Sequence, residues 1–195
     1  MHETSDQTTR QLVLRSKEGD LAAFDKLVRG CQSYAYSIAV HLLCDEDEAE
    51  EVVQESFIRV WTYLHRYDQR QKFTTWLYRI VTNLCLDHFR AAKRRSRLFS
   101  SIEEDDHVET IADPQSLDPV QPSDEMIRIV KSLTDRLPTK QRLVFVLRDL
   151  EDLPVSEVSE ITRVSVASIK TNLHYARRTI RALLETEYGI KRVEP

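Results

Sequence analysis

Glycine is almost missing from this chain: its 195 residues contain three, Gly19, Gly30 and Gly189. Sheets joined by tight turns need residues that tolerate positive φ, so this scarcity excludes a turn-rich β fold and points to an all-α one. Cysteine is equally sparse. Cys31, Cys44 and Cys85 are odd in number and form no C-x-x-C pair, which supports neither a disulfide framework nor a four-cysteine zinc site. His41 and Cys44 stand at an H-x-x-C spacing, but no second ligand pair accompanies them and a buried core thiol is the favoured reading. No metal and no cofactor is expected. Long apolar runs are lacking too, since the longest, Leu143 to Leu147, falls far short of the roughly 20 residues that a bilayer helix needs. The polar start from Met1 to Thr9 has no apolar segment of the signal-peptide kind. A cytoplasmic protein without membrane insertion is expected.

Catalytic signatures are likewise missing. No P-loop, no dinucleotide fingerprint and no H-E-x-x-H occurs, and the six His are scattered along the chain, so a non-enzyme is expected. What the chain does have is 41% apolar residues, enough to build a core, and 31% charged residues of both signs.

The distribution of that charge is informative. Lys and Arg number 28 against 32 Asp and Glu, a net charge of -4, and the pI of about 5.9 by itself argues against nucleic acid. By segment, however, residues 1–99 carry +1, residues 100–124 carry -8 and residues 125–195 carry +3. The middle segment has no Lys or Arg; it holds Glu103, Glu104, Asp105, Asp106, Glu109, Asp113, Asp118 and Asp124 and is broken by Pro114, Pro119 and Pro122. It reads as a flexible acidic linker between two small helical domains, 1–99 and 125–195, each slightly basic.

In the first domain, Asp20 to Val28 and Tyr34 to Leu43 read as helices, followed by a strongly amphipathic one from Glu46 to Tyr63. Ala49, Val53, Phe57 and Val60 fall on one face of it. The opposite face carries Glu50, Glu51, Gln54, Glu55 and Arg59. A further helix from about Thr74 to Arg95 directs Leu77, Ile80, Val81 and Leu84 inward and aligns Arg79, Asn83, Asp87, Arg90 and Arg94 on another face. Its end holds five cations in eight residues, Arg90, Lys93, Arg94, Arg95 and Arg97. Such a cluster holds phosphates; a solvated helix end with a favourable dipole is the competing reading. Trp61, Tyr63, Tyr67, Phe73, Trp76 and Tyr78 are interleaved nearby. Most are expected in the core, while those beside the 67–72 loop have the chemistry to stack on unpaired bases.

In the second domain, Ser123 to Leu137 and Pro138 to Arg148 read as helices, the latter with Pro in its first turn. A short helix from about Pro154 to Thr162, a turn at 162–165 and a last helix capped by Ser165 follow. That last helix directs Val166, Ile169, Leu173, Ala176, Ile180 and Leu183 inward, and Ser168, Lys170, Thr171, His174, Arg177, Arg178 and Arg181 outward. Two helices joined by a four-residue turn, the second polar and basic outward, form a helix-turn-helix pattern suited to the major groove, although ordinary helical hairpins look similar. Lys170, Thr171 and His174 are the candidates for base edges, and Arg148, Arg177 and Arg178 for phosphates.

Several stretches resemble the extracytoplasmic-function (ECF) sigma factors, compact two-domain members of the bacterial sigma-70 family. They are GDLAAF at 19–24, DEAEEVVQESFIRVW at 47–61, FTTWLYRI at 73–80 and TNLCLDHFR at 82–90. Leu137-Pro138, Gln141-Arg142, Phe145, Leu147-Arg148 and the helix-turn-helix complete the likeness from about Gly19 to Leu184. The resemblance implies that the first domain is similar to sigma region 2. Asp47, Glu50, Glu51, Gln54, Glu55 and Arg59 would then dock on the clamp coiled coil of the largest subunit of core RNA polymerase. The unwound minus-10 element would be read by Tyr67, Asp68, Gln69, Arg70, Lys72, Phe73, Trp76, Asn83, Asp87 and Arg90. The second domain is similar to region 4, placing Arg148, Ser165, Ala167, Ser168, Lys170, Thr171, His174, Tyr175, Arg177 and Arg178 at the duplex minus-35 element. An anti-sigma factor is implied as a further partner. In related factors the segment matching the acidic linker threads into the polymerase channel through which RNA leaves; a plain tether is the alternative.

Departures from the family pattern concern the second domain. Arg163 stands where family members usually carry Gly, Ala167-Ser168 where Gly-Thr is frequent, and Asn172 where Arg is frequent. A left-handed Arg163 costs on the order of 1 kcal/mol, which a fold tolerates. The rival function is a helix-turn-helix regulator that binds duplex DNA without polymerase, which has no use for the first domain.

Overall fold

The computed structural model describes residues 2–100 and 122–189, with side chains described for 8–94, 125 and 128–189. Eight α-helices and no strand occur among the described residues: α1 (His2–Lys17), α2 (Leu21–Leu43), α3 (Glu46–Tyr63), α4 (Phe73–Ser100), α5 (Pro122–Thr134), α6 (Thr139–Phe145), α7 (Val155–Thr162) and α8 (Val166–Glu187). A 3-10 turn at Leu64–Arg66 follows α3, and α6 widens into a π turn over Val146–Leu150. The acidic segment expected as a linker lies outside the described residues except at its ends, where Ser100 closes α4 and Pro122 opens α5.

Local chemistry fixes the corners. Asp20 caps α2 by accepting from the Ala23 amide at 3.0 Å, and Asp45 caps α3 by accepting from the Glu48 amide at 2.9 Å. Glu46, Asp47 and Glu48 fill the first turn of α3, where the helix dipole favours anions. Between these helices Cys44 takes a left-handed conformation, φ 55°, so that two residues reverse the chain. The bounds of α3 match those read from the sequence. The two helices expected on either side of Gly30 are instead one, α2, because Leu27, Cys31 and Ala35 bury one face continuously across it. That burial outweighs the roughly 1 kcal/mol a mid-helix glycine costs. The expected helix from Pro138 to Arg148 is likewise divided, into α6 and the π turn, and α1 was not anticipated at all.

The two halves of the chain share a core. Leu27, Ile38, Leu42, Val60, Leu77 and Val81 from the first half pack in one cluster with Leu143, Val146, Leu147, Val158, Ile161 and Ile169 from the second. A smaller cluster of Leu133, Leu137, Ala176 and Ile180 joins α5 to α8. Polar bonds line the seam between the halves. The Glu151 carboxylate receives the Ser37 hydroxyl at 2.8 Å and lies 2.6 Å from His41 Nδ1, Thr75 donates to Glu157 at 3.0 Å, and Lys131 donates to the Cys44 carbonyl at 3.2 Å.

Arg163 ends α7 with φ 58°, the left-handed conformation that suits glycine. Arg163→Gly should therefore raise thermal stability, by about 0.5 kcal/mol after the extra chain entropy of glycine is subtracted. A lower melting temperature would show that the arginine side chain contributes more than its backbone costs.

Candidate nucleic-acid and protein-docking surfaces

The outer face of α3 is open. Asp47, Glu50, Glu51 and Gln54 are exposed, while Glu55 and Arg59 are half-buried and paired with each other at 2.7 Å. Beside this acidic row lies an apolar groove that the sequence pattern did not disclose, lined by Leu21, Phe24, Val28, Val53, Phe57, Ile58 and Trp61. Of the interleaved aromatics, most of which were expected in the core, Trp61 and Tyr63 are exposed, and Ile58 is 60% exposed on the outer side of the helix. Trp61 is held by Phe24, ring centroids 4.8 Å apart. The available signal was Ile58, an apolar residue on the polar side of the heptad.

The 67–72 loop rests on an aromatic trio. Tyr67, Phe73 and Trp76 meet with centroids 5.0–5.9 Å apart, and Tyr67 and Phe73 are buried. Those two rings thus build the platform beneath the loop, while Trp76 is half-buried at its edge. Tyr67 further donates its hydroxyl to the Gln71 carbonyl, and Lys17 donates to the Tyr67 carbonyl at 2.8 Å. Asp68 accepts from the Arg70 amide at 3.0 Å, closing a local turn. The result is a braced loop whose Asp68, Gln69, Arg70 and Lys72 side chains are exposed. Asn83, Asp87 and Arg90 follow on the exposed face of α4, with Arg90 bonded to Asp87 at 2.8 Å. The side chains of Arg95 and Arg97 lie outside the described residues.

In the second half, α7 and α8 form the helix-turn-helix. Ser165 caps α8 by accepting from the Ser168 amide at 3.3 Å. Ala167, Lys170, Thr171, His174, Tyr175 and Arg178 are exposed along one side, with Arg178 over the Tyr175 ring at 5.6 Å. Ile169, Leu173, Ala176 and Ile180 are buried as the periodicity requires, but Val166, also expected inward, is 43% exposed at the helix start. Two of the candidate phosphate contacts are engaged within the protein. Arg177 grips Asp149 through two bonds of 2.6 and 2.7 Å, and Arg148 donates to Asp152 at 2.7 Å. Arg177 thereby ties α8 to the π turn and fixes the orientation of the exposed row.

The three thiols are buried. Burial pushes Cys31 up to about 11 and Cys85 up to about 12, so both stay protonated near neutrality. His41 and Cys44 diverge despite their spacing: His41 turns to Glu151, whereas Cys44 receives the Arg142 guanidinium at 2.9 Å.

Two family descriptions match this chain: Sigma-70 region 2 over residues 27–95 and Sigma-70, region 4 over residues 127–180. The chain is also 32% identical over 180 residues to the ECF RNA polymerase sigma factor SigW of Bacillus subtilis, with 90% of this chain and 96% of that protein covered. This chain belongs to the ECF sigma factors of the sigma-70 family. The ECF RNA polymerase sigma-E factor of Salmonella typhimurium is 32% identical over 184 residues, covering 90% of this chain and 94% of that one. The fold agrees. CnrH, solved in complex with the cytosolic domain of CnrY, matches with a TM-score of 0.71 at 22% identity over 92% of this chain and 99% of that one. The sigma factor RpoE of Bartonella quintana, solved with the anti-sigma factor NepR, matches with a TM-score of 0.62 at 17% identity over 84% and 98%. As a sigma factor, the chain directs promoter-specific transcription initiation by RNA polymerase, and the matched region 2 disfavours a regulator acting without polymerase. Among the described residues, no helix of this sigma factor is long and apolar enough to cross a membrane.

Proposed function

We propose that the acidic face of α3, from Asp47 to Arg59, is the surface through which this sigma factor binds core RNA polymerase. The minus-10 element is read by the braced 68–72 loop together with Asn83, Asp87 and Arg90, and the minus-35 element by the exposed row of α8. Residues 1–99 then act as region 2 and 125–195 as region 4, with 100–124 between them. The observation that carries this reading is the presence, in one chain, of an open acidic helix face and a helix-turn-helix whose outward row is exposed among the described residues. The polymerase supplies the chemistry and this chain the address, so the chain itself is assigned no catalysis and no cofactor. It works in the cytoplasm, where polymerase and promoter are, and an anti-sigma factor is its proposed regulator on the strength of family membership.

Docking is tested by reversing charge on the face. Glu51→Lys with Glu55→Lys should weaken core binding about ten-fold, because complementary charge steers and holds such contacts. Melting should hardly move, since the buried Val52 and Phe57 are untouched and the half-buried Glu55–Arg59 pair, an i, i+4 pair still within reach of water, contributes at most about 0.5 kcal/mol. Co-elution of the folded double variant with core polymerase at wild-type affinity would remove α3 from the interface.

A further inference from the structure

Lys17, the last residue of α1, reaches across fifty positions of sequence to the start of the 67–72 loop. Its Nζ donates to the Tyr67 carbonyl at 2.8 Å and stands 5.6 Å from the centre of the Tyr67 ring. One ammonium thus holds the residue by main chain and ring together, through a charge-assisted bond and a cation–π contact. Lysines are mostly exposed, whereas this one is half-buried.

The support beneath Lys17 is stiff. Ser16 is buried and donates its hydroxyl to the Leu12 carbonyl at 2.7 Å. Past Lys17 the chain turns at Gly19, φ 91°, and Asp20 both caps α2 and accepts from Arg15 Nε at 2.9 Å. The Lys17 stem therefore leaves a corner that is closed on both sides.

What Lys17 holds is one end of the loop. The other end runs into α4 at Phe73 and is fixed covalently to the helix that carries Asn83, Asp87 and Arg90. Within the loop, Asp68 accepts from the Arg70 amide on its carboxylate at 3.0 Å and from the Gln71 amide on its carbonyl at 3.2 Å. The Tyr67 hydroxyl donates to the Gln71 carbonyl. These bonds set the shape of the loop but not where it stands. Apolar packing of the Tyr67 ring is non-directional, while a bond to its carbonyl has a direction and so supplies a register. That register matters because a reading side chain tolerates misplacement of only about 0.5 Å.

We propose that Lys17 is a positioning residue for minus-10 selection: it fixes the Tyr67 peptide so that Gln69 and Arg70 meet the unwound strand in one register, without touching DNA itself. The inference rests on the minus-10 reading above and adds to it a residue of α1, outside the segments that carry the reading side chains.

The test uses holoenzyme reconstituted from the full chain and core RNA polymerase. It is offered duplex promoter fragments whose minus-10 segment is unpaired and randomised, and the bound fragments are sequenced. Lys17→Met keeps an unbranched stem and removes the donor. It should lower the enrichment of the preferred bases about five-fold, the low end of what one base-edge contact discriminates. Lys17→Arg, which restores a charged donor, should recover most of that enrichment. Preferences unchanged in Lys17→Met, or an arginine variant as relaxed as the methionine one, overturn the assignment. So does a uniform loss of affinity with a salt slope lower by about 0.7, which marks Lys17 as a phosphate contact on a single strand. Hydrogen exchange in the full chain without polymerase, at a temperature where the variant is folded, gives a second measurement. The Arg70 and Gln71 amides should exchange about five-fold faster in Lys17→Met, and equal rates overturn the brace. Gln69→Ala and Arg70→Ala separate the two levels. If either shifts the selected bases while Lys17→Met does not, the minus-10 reading stands and the role of Lys17 is lost; if neither does, both fall.

Discussion

Asp135→Ala is expected to destabilise this sigma factor more than Arg142→Met does, although Asp135 is half exposed and Arg142 is buried. The Arg142 side chain is 9% exposed; it bonds Asp135 at 2.7 Å and Cys44 Sγ at 2.9 Å, and it lies over the Phe89 ring at 5.1 Å. Of these partners only Asp135 carries a full charge. Removing it leaves a buried cation facing a thiol and a ring, and breaking such a pair from one side ordinarily costs about 3–5 kcal/mol, here reduced to about 2 because water reaches the Asp135 side of the site. Methionine in place of Arg142 keeps an unbranched apolar side chain in the buried site and removes the charge itself, so about 1 kcal/mol or less is lost. The difference corresponds to roughly 3 °C in melting temperature for a chain of this size. The double variant should resemble Arg142→Met alone. If the methionine variant melts lower than Asp135→Ala, the guanidinium stabilises the seam by more than its charge balance.

The second large effect concerns promoter choice. Lys170→Ala should change the minus-35 sequence that the holoenzyme selects from a random library, because a side chain reaching a base edge discriminates by about 1–3 kcal/mol. Arg178→Ala should instead weaken all sequences alike and lower the salt slope by about 0.9, the signature of one lost phosphate on duplex DNA. Arg177→Ala should leave that slope nearly unchanged, since Arg177 is bound to Asp149. Selection of the wild-type sequence by the Lys170 variant would remove Lys170 from base reading. An equal drop in slope for Arg177 and Arg178 would mean that the Asp149 grip opens on DNA.

How far these features were legible in the sequence depends on the range of the contacts that make them. The limits of α3 could be read directly, because its cap, acidic first turn and apolar stripe are all local. The buried face of α8 was legible for the same reason, failing only at Val166, where the first turn projects beyond the core. The gap expected between Val28 and Tyr34 is closed, because burial on either side of Gly30 overrides the local cost of that glycine. The grip of Arg177 on Asp149 and the bond between His41 and Glu151 join residues 28 and 110 positions apart, beyond any window of periodicity. The H-x-x-C spacing at His41 and Cys44 brings the two side chains to different partners, Glu151 and Arg142, both in the second half of the chain, a meaning that exists only once the halves meet. The apolar groove beside α3 was hidden for another reason: a periodic pattern tells which residues turn from the helix's polar side, not whether a neighbour covers them.

The shared core also has a consequence for how this chain is made. Leu77, Val81 and Tyr78 on α4 are buried in the company of Val158, Ile161 and Ile169, which are synthesised some eighty residues later. At about 5–20 residues per second, a ribosome leaves the faces of α2 and α4 without their cover for roughly ten seconds. For that interval the nascent first half presents apolar surface to whatever surrounds the tunnel exit, so early termination would yield a fragment prone to aggregate or to be captured by chaperones. The order of translation thus makes the second half of this sigma factor the late-arriving shield of the first.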